Sequence, residues 1–173
     1  MPRLILLIGP IASGKSTIAE GLGVRLRASG HQVAVLDLDD AVENVGGFAG
    51  LTPELFELAV ATYANDAATC LGRGLDVVAH GPLFEPGSLD SLLSAIPART
   101  RVWHIRLHST YVTALERVRD DPNHRLSKDP AFLKMAYQRD QPLLDSLPGA
   151  DATFDTRARS PRQILDVVVE LVE

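Results

Sequence analysis

Cysteine is almost missing from this chain of 173 residues: Cys70 is the single one, so no internal disulfide can form, and no Cys/His cluster has zinc spacing. A fold stapled by metal or disulfides is excluded. With 46% hydrophobic residues the chain has enough apolar material for an ordinary core, and the expectation is one domain over residues 1–173. Cys70, beside Ala67, Ala68 and Leu71, reads as a small hydrophobe. Lysine is scarce as well, with Lys15, Lys128 and Lys134 the only three, and the formal net charge is −5. Nucleic-acid backbones are bound by clustered Lys and Arg, so a nucleic-acid partner is not expected. No stretch approaches the roughly 20 apolar residues that a membrane span needs. The apolar run Leu4-Ile5-Leu6-Leu7-Ile8 is short and lacks a cleavage site behind it. The expectation is a cytoplasmic protein without a membrane partner.

What the chain does have is alternation. Short apolar runs at residues 3–8, 32–37, 75–80, 102–107 and 152–154 read as strands covered on both faces. Helical patterns fall between them at 15–28, 53–72, 87–96, 110–119 and 130–146, with a last one at 161–172. Thr52-Pro53, Asp129-Pro130 and Ser160-Pro161 each supply an N-cap followed by proline in the first turn, and Gln163 completes a capping box with Ser160. Strand-helix alternation predicts an α/β fold with a parallel sheet, helices on both faces and right-handed crossovers. Ligands of such sheets bind at the carboxyl ends of the strands.

The residues at those ends are informative. Directly after the first strand stands Gly9-Pro10-Ile11-Ala12-Ser13-Gly14-Lys15-Ser16, a complete G-x-x-x-x-G-K-[ST] loop. Its glycines let successive N–H groups face a phosphate, its lysine reaches the β and γ oxygens, and its hydroxyl ligates Mg²⁺. Gly9, Ala12, Ser13, Gly14, Lys15, Ser16 and Thr17 are therefore the candidate nucleotide contacts. After the second strand, Asp37-Leu38-Asp39-Asp40 offers three carboxylates. Strand alternation would point Asp37 and Asp39 the same way, one toward a metal water and the other toward the proton of an attacking hydroxyl, with Asp40 as a helix cap. Strand 3 ends in Ala79-His80-Gly81-Pro82, which carries no carboxylate and no D-x-x-G. His80 could touch substrate or the γ-phosphate, and a structural histidine fits equally. Arg117 and Arg125 border a polar stretch at about 117–129 that could close over a triphosphate as a lid.

The loop, LDLDD after strand 2, the arginine-bearing lid and Asp155-Thr156-Arg157-Ala158-Arg159-Ser160-Pro161 after strand 5 together resemble the P-loop small-molecule kinases, the group of shikimate kinase, gluconate kinase, adenylylsulfate kinase and chloramphenicol phosphotransferase. That resemblance implies a three-layer P-loop NTPase sandwich with strand order 2-3-1-4-5. It also implies ATP and Mg²⁺, a small-molecule acceptor, and Asp155 and Arg157 beside the adenine. Lys15, Asp39 and Arg125 would be catalytic, Ser16 and Asp37 would hold the metal, and Asp39, Phe48, Phe56 and His80 would meet the acceptor. Residues 38–72 contain no Lys or Arg, which disfavours an anionic acceptor. A nucleoside or nucleoside monophosphate kinase and a nucleotide-binding regulatory module share the same phosphate loop.

Overall fold

A computed structural model describes residues 1–120 and 128–173. Five parallel strands, β1 (Arg3–Ile8), β2 (Val33–Asp37), β3 (Asp76–His80), β4 (Arg101–His108) and β5 (Ala152–Asp155), lie in the order β2-β3-β1-β4-β5. The strand order implied by the resemblance is the one observed.

β1 is central because every one of its residues can be buried. Its register pairs Leu6 with Ala79 of β3 and with His104 of β4. Side chains alternate across a strand, so Leu4, Leu6 and Ile8 enter one core while Ile5 and Leu7 enter the other. The first core is roofed by α2 (Leu38–Asn44), α3 (Pro53–Gly72) and α4 (Ser88–Ala95), with Leu144 added from α6 (Pro130–Ser146). The second is roofed by α1 (Lys15–Ala28) and α7 (Pro161–Val172). Burying each Leu or Ile of β1 is worth about 1.5–3 kcal/mol, so the strand that carries the phosphate loop is also the best anchored.

A third, small cluster stands apart from the sheet. Ala114 and Val118 of α5 (Tyr111–Asp120) and Leu133 of α6 form it, and Ile11 and Ala12 of the phosphate loop pack against it with Tyr111, Leu115 and Tyr137. Thr52, Asp129 and Ser160 cap their helices as expected, with the Ser160–Gln163 capping box complete. One helix was not expected. α2 turns the stretch after β2 into helix, and its N-cap is Asp37 rather than Asp40: the Asp37 carboxyl accepts the Asp39 N–H at 3.0 Å. No helix among the described residues is long and apolar enough to cross a membrane.

Candidate active site

The loop between β1 and α1 has the geometry its sequence demands. Gly14 adopts φ 92° as the N-cap of α1, with open space where a side chain would project. A Cβ on Gly9 would sit 2.6 Å from the Leu107 carbonyl and 2.7 Å from Ser13 Oγ, so only glycine lets the loop leave β1 beside β4. Ala12 takes φ 55°, the only non-glycine residue in the left-handed region among those described. Lys15 Nζ donates to the carbonyls of Gly9 and Pro10, each at 2.8 Å, so the ammonium is folded over the loop. Burial holds its pKa below the usual lysine value, against the attraction of Asp39, Asp37 and Asp140. Ser16 and Thr17 present exposed side chains in the first turn of α1, while Ser13 is fully buried and its hydroxyl has no partner among the described residues. Amide donors at a helix start, an ammonium and unpaired hydroxyls make a cradle suited to phosphate.

Asp37 and Asp39 do come together with this cradle, though not by strand alternation. β2 ends at Asp37, and the helical turn that follows sets Asp39. Gly81, at φ 117°, makes that turn possible: a Cβ there would come within 2.7 Å of Leu38 Cβ and 3.2 Å of Asp37 Oδ1. Asp37 Oδ1 also lies 3.5 Å from His80 Nδ1. Asp37 Oδ2 makes no hydrogen bond within the described residues. The Asp39 carboxyl is pushed up to about 6, first by desolvation and then by the charge of Asp37, with Lys15 and His80 opposing.

His80 is buried, and burial, assisted by the Lys15 charge, lowers its pKa to about 4. It is neutral near pH 7, and the strand end around it is fixed by Tyr63, whose hydroxyl donates to the Leu36 and His80 carbonyls. Hard oxygens suit Mg²⁺, which is commonly held by one or two carboxylates, waters and phosphate oxygens. Ser16 and Asp37 offer oxygens of that kind, and no cluster of three or more His, Cys, Asp or Glu able to hold a metal occurs among the described residues.

Other residues fall further out. Arg117, inside α5, donates to the Ala12 carbonyl at 2.9 Å and to the Thr156 carbonyl at 2.8 Å, tying the phosphate loop to the segment after β5. Arg125 lies outside the described residues, as does most of the proposed lid. Asp155 and Arg157 are bound to each other through Arg157 Nε at 3.0 Å and Nη2 at 2.5 Å, which holds the Asp155 carboxyl well below the usual range. With His108, Ser109, Thr110 and Thr153 they line a cavity of about 290 Å³ at the ends of β4 and β5. Phe48 is 40% exposed on a single turn of 3-10 helix at Phe48–Gly50. Phe56 lines a separate cavity of about 610 Å³ between α3 and α4, to which Asp39 and His80 do not contribute.

Three residues escaped the sequence reading. Asp140 is almost fully buried in α6, its carboxyl within electrostatic reach of Lys15. Arg139 holds it at 2.6 Å and also meets Glu85 at 2.7 Å, so this guanidinium is taken up by two carboxylates. The signal was present: Leu133, Ala136, Asp140 and Leu144 form the buried stripe of α6, and an aspartate on an apolar stripe calls for a partner. Glu85 is the second carboxylate on that arginine. The third is Tyr137, whose hydroxyl donates to the Ile11 carbonyl at 2.8 Å. No local pattern announces it.

Neither the protein-family models nor the curated proteins give a match. Solved structures do. A sugar kinase from a Janibacter species is similar over 98% of this chain and 94% of its own, with TM-score 0.70 and 22% identity. Shikimate kinase from Acinetobacter baumannii, solved with shikimate, is similar over 99% and 93%, with TM-score 0.69 and 21% identity. A gluconokinase from Sinorhizobium meliloti covers 95% and 88%, with TM-score 0.64 and 19% identity. The class is therefore defined by architecture: a parallel α/β sandwich built around a phosphate loop. More narrowly, the fold is that of the P-loop small-molecule kinases.

Proposed function

We propose that the chain is an ATP-dependent phosphotransferase that moves the γ-phosphate to a hydroxyl of a small neutral or cationic molecule. The observation that carries this reading is the phosphate loop, with Gly14 at φ 92° heading α1 and Lys15 Nζ folded over the Gly9 and Pro10 carbonyls, and with Asp37 and Asp39 at the carboxyl end of β2, where burial pushes Asp39 up to about 6. A general base works best with a pKa near the working pH, and ordinary surface aspartates are too acidic for the task. The acceptor oxygen attacks the γ-phosphorus, its proton passes to Asp39, and the bond to the bridging β,γ oxygen breaks to release ADP. Lys15, and Arg125 from the segment between α5 and α6, would offset charge on the transferring group. Ser16 and Asp37 would hold Mg²⁺, which when bound neutralises phosphate charge.

An uncharged or cationic acceptor is favoured because residues 38–72 carry six acidic side chains and no Lys or Arg. Arg139 of α6 is engaged by Glu85 and Asp140. The test is ADP release against a panel of neutral polyols, amino alcohols, aminoglycosides, sugar acids and nucleoside monophosphates. Saturable turnover with the first three classes is expected. Lys15→Ala should lower it roughly 10²- to 10³-fold with an unchanged circular dichroism spectrum. Nucleotide binding with no acceptor-dependent turnover would overturn the kinase reading in favour of a regulatory module. Efficient use of a sugar acid or nucleoside monophosphate would overturn the charge argument alone.

A further inference from the structure

The phosphate loop is not held by its own turn alone. Its tip, Ile11 and Ala12, packs on the small cluster shared by α5 and α6, apart from both sheet cores. Two side chains from those helices take consecutive loop carbonyls: Tyr137 Oη donates to Ile11 O at 2.8 Å, and Arg117 Nη1 to Ala12 O at 2.9 Å. A trans peptide is planar, so its N–H points opposite to its C=O. Pulling Ile11 O toward α6 therefore turns the Ala12 N–H away from α6, and pulling Ala12 O toward α5 turns the Ser13 N–H back into the loop. The Ser13 N–H accordingly lies 3.2 Å from Pro10 O. Both peptides flank Ala12, whose left-handed conformation an L-residue resists and which its surroundings must hold in place.

We propose that Tyr137 is a positioning residue of the phosphate loop, fixing the Ile11–Ala12 peptide so that the loop presents its amides to a bound phosphate. The proposal rests on the nucleotide-binding reading above. It makes phosphate affinity depend on a helix that lies more than a hundred residues from the loop in sequence. Tyr137 donates its proton to a carbonyl and stays neutral, since burial raises its pKa to about 12. Its ring also stands edge-on to Tyr111 at 6.3 Å, so ring and hydroxyl have separable roles.

Tyr137→Phe keeps the ring and deletes the hydroxyl, with its bond to the Ile11 carbonyl and its contact with the Ser109 side chain. Tyr111→Phe deletes a hydroxyl in the same cluster that reaches Pro130 O at 3.3 Å and leaves the loop untouched. Calorimetric titration of the full chain with Mg·ADP and with Mg·pyrophosphate is the measurement, with thermal unfolding in parallel. Tyr137→Phe should weaken both ligands by the same factor, roughly three- to tenfold, the worth of one hydrogen bond. In turnover it should raise KM for ATP more than it lowers kcat, because the bond serves ground and transition states alike. Tyr111→Phe should leave both affinities unchanged. Unchanged affinity in Tyr137→Phe overturns the proposal, and so does equal weakening in the two variants, which would mean general loosening of α5 and α6. A wild-type chain that binds neither ligand would instead overturn the nucleotide reading on which this one stands.

Discussion

The two ends of the sheet handle charge in opposite ways. At the amino end, Arg3 and Asp76 are buried and spend their polar atoms on each other: Arg3 Nε and Nη2 reach Asp76 Oδ2, the Arg3 N–H reaches Oδ1 at 2.8 Å, and Arg3 Nη1 closes on the Val172 carbonyl at 2.7 Å. At the carboxyl end, Ser13 Oγ has no partner among the described residues, Asp37 meets His80 only at 3.5 Å, and Asp39 is pushed up to about 6. One end is satisfied without help. The other keeps polar groups without full protein partners among the described residues, and strained or unpaired groups persist only where the rest of the fold supports them.

The largest expected effect lies at the carboxyl end. Asp39→Asn should cost turnover roughly 10²- to 10⁴-fold, the usual worth of a general base, with far less change in ATP affinity. Because Asp39 must be ionised to accept a proton, wild-type kcat/KM should fall as pH drops through about 6 and level off above it. His80, already neutral there, adds no inflection in that range. A flat profile, or one that keeps its limb in Asp39→Asn, would remove Asp39 from the mechanism.

At the amino end the sign of the trade reverses. Arg3→Ala leaves Asp76 buried without its arginine and should destabilise the fold by about 3–5 kcal/mol, read from urea unfolding, while ADP affinity of the folded fraction stays unchanged. A loss below about 1 kcal/mol, or a clear change in affinity, would mean the two ends are not separate.

Ser160→Ala is the smallest and sharpest comparison, since α7 reaches from one end of the sheet to the other. Deleting its N-cap at the β5 end should cost about 1 kcal/mol in thermal unfolding, against the larger cost at its Val172 end.

The division between the two ends also marks what could be read in the sequence. Continuous apolar runs placed all five strands, and proline-led caps placed α3, α6 and α7, because those signals are local. α2 was missed because seven residues rich in acid lack such a start, although Leu38, Ala41 and Val42 keep helical spacing on its buried face. The strand-loop-helix geometry of residues 9–16 was legible because one contiguous stretch supplies it. The partners that shape it were not. Tyr137 and Arg117 reach Ile11 and Ala12 across 126 and 105 residues, and only the packing of α5 on α6 determines that they arrive. For Asp37 and Asp39 the expected geometry was strand alternation, whereas β2 ends at Asp37 and a helical turn carries Asp39.

The bond from Arg3 to the Val172 carbonyl has a further consequence, for synthesis. β1 precedes the other four strands in the chain yet lies in the middle of the sheet, and its Arg3 guanidinium is completed by a carbonyl 169 residues later. A ribosome releasing this chain therefore exposes an apolar central strand before its flanking strands and supplies the carbonyl that closes on Arg3 only after residue 172 has emerged. Until then the nascent chain holds a core strand with an unfinished seal, the state that chaperones are suited to guard.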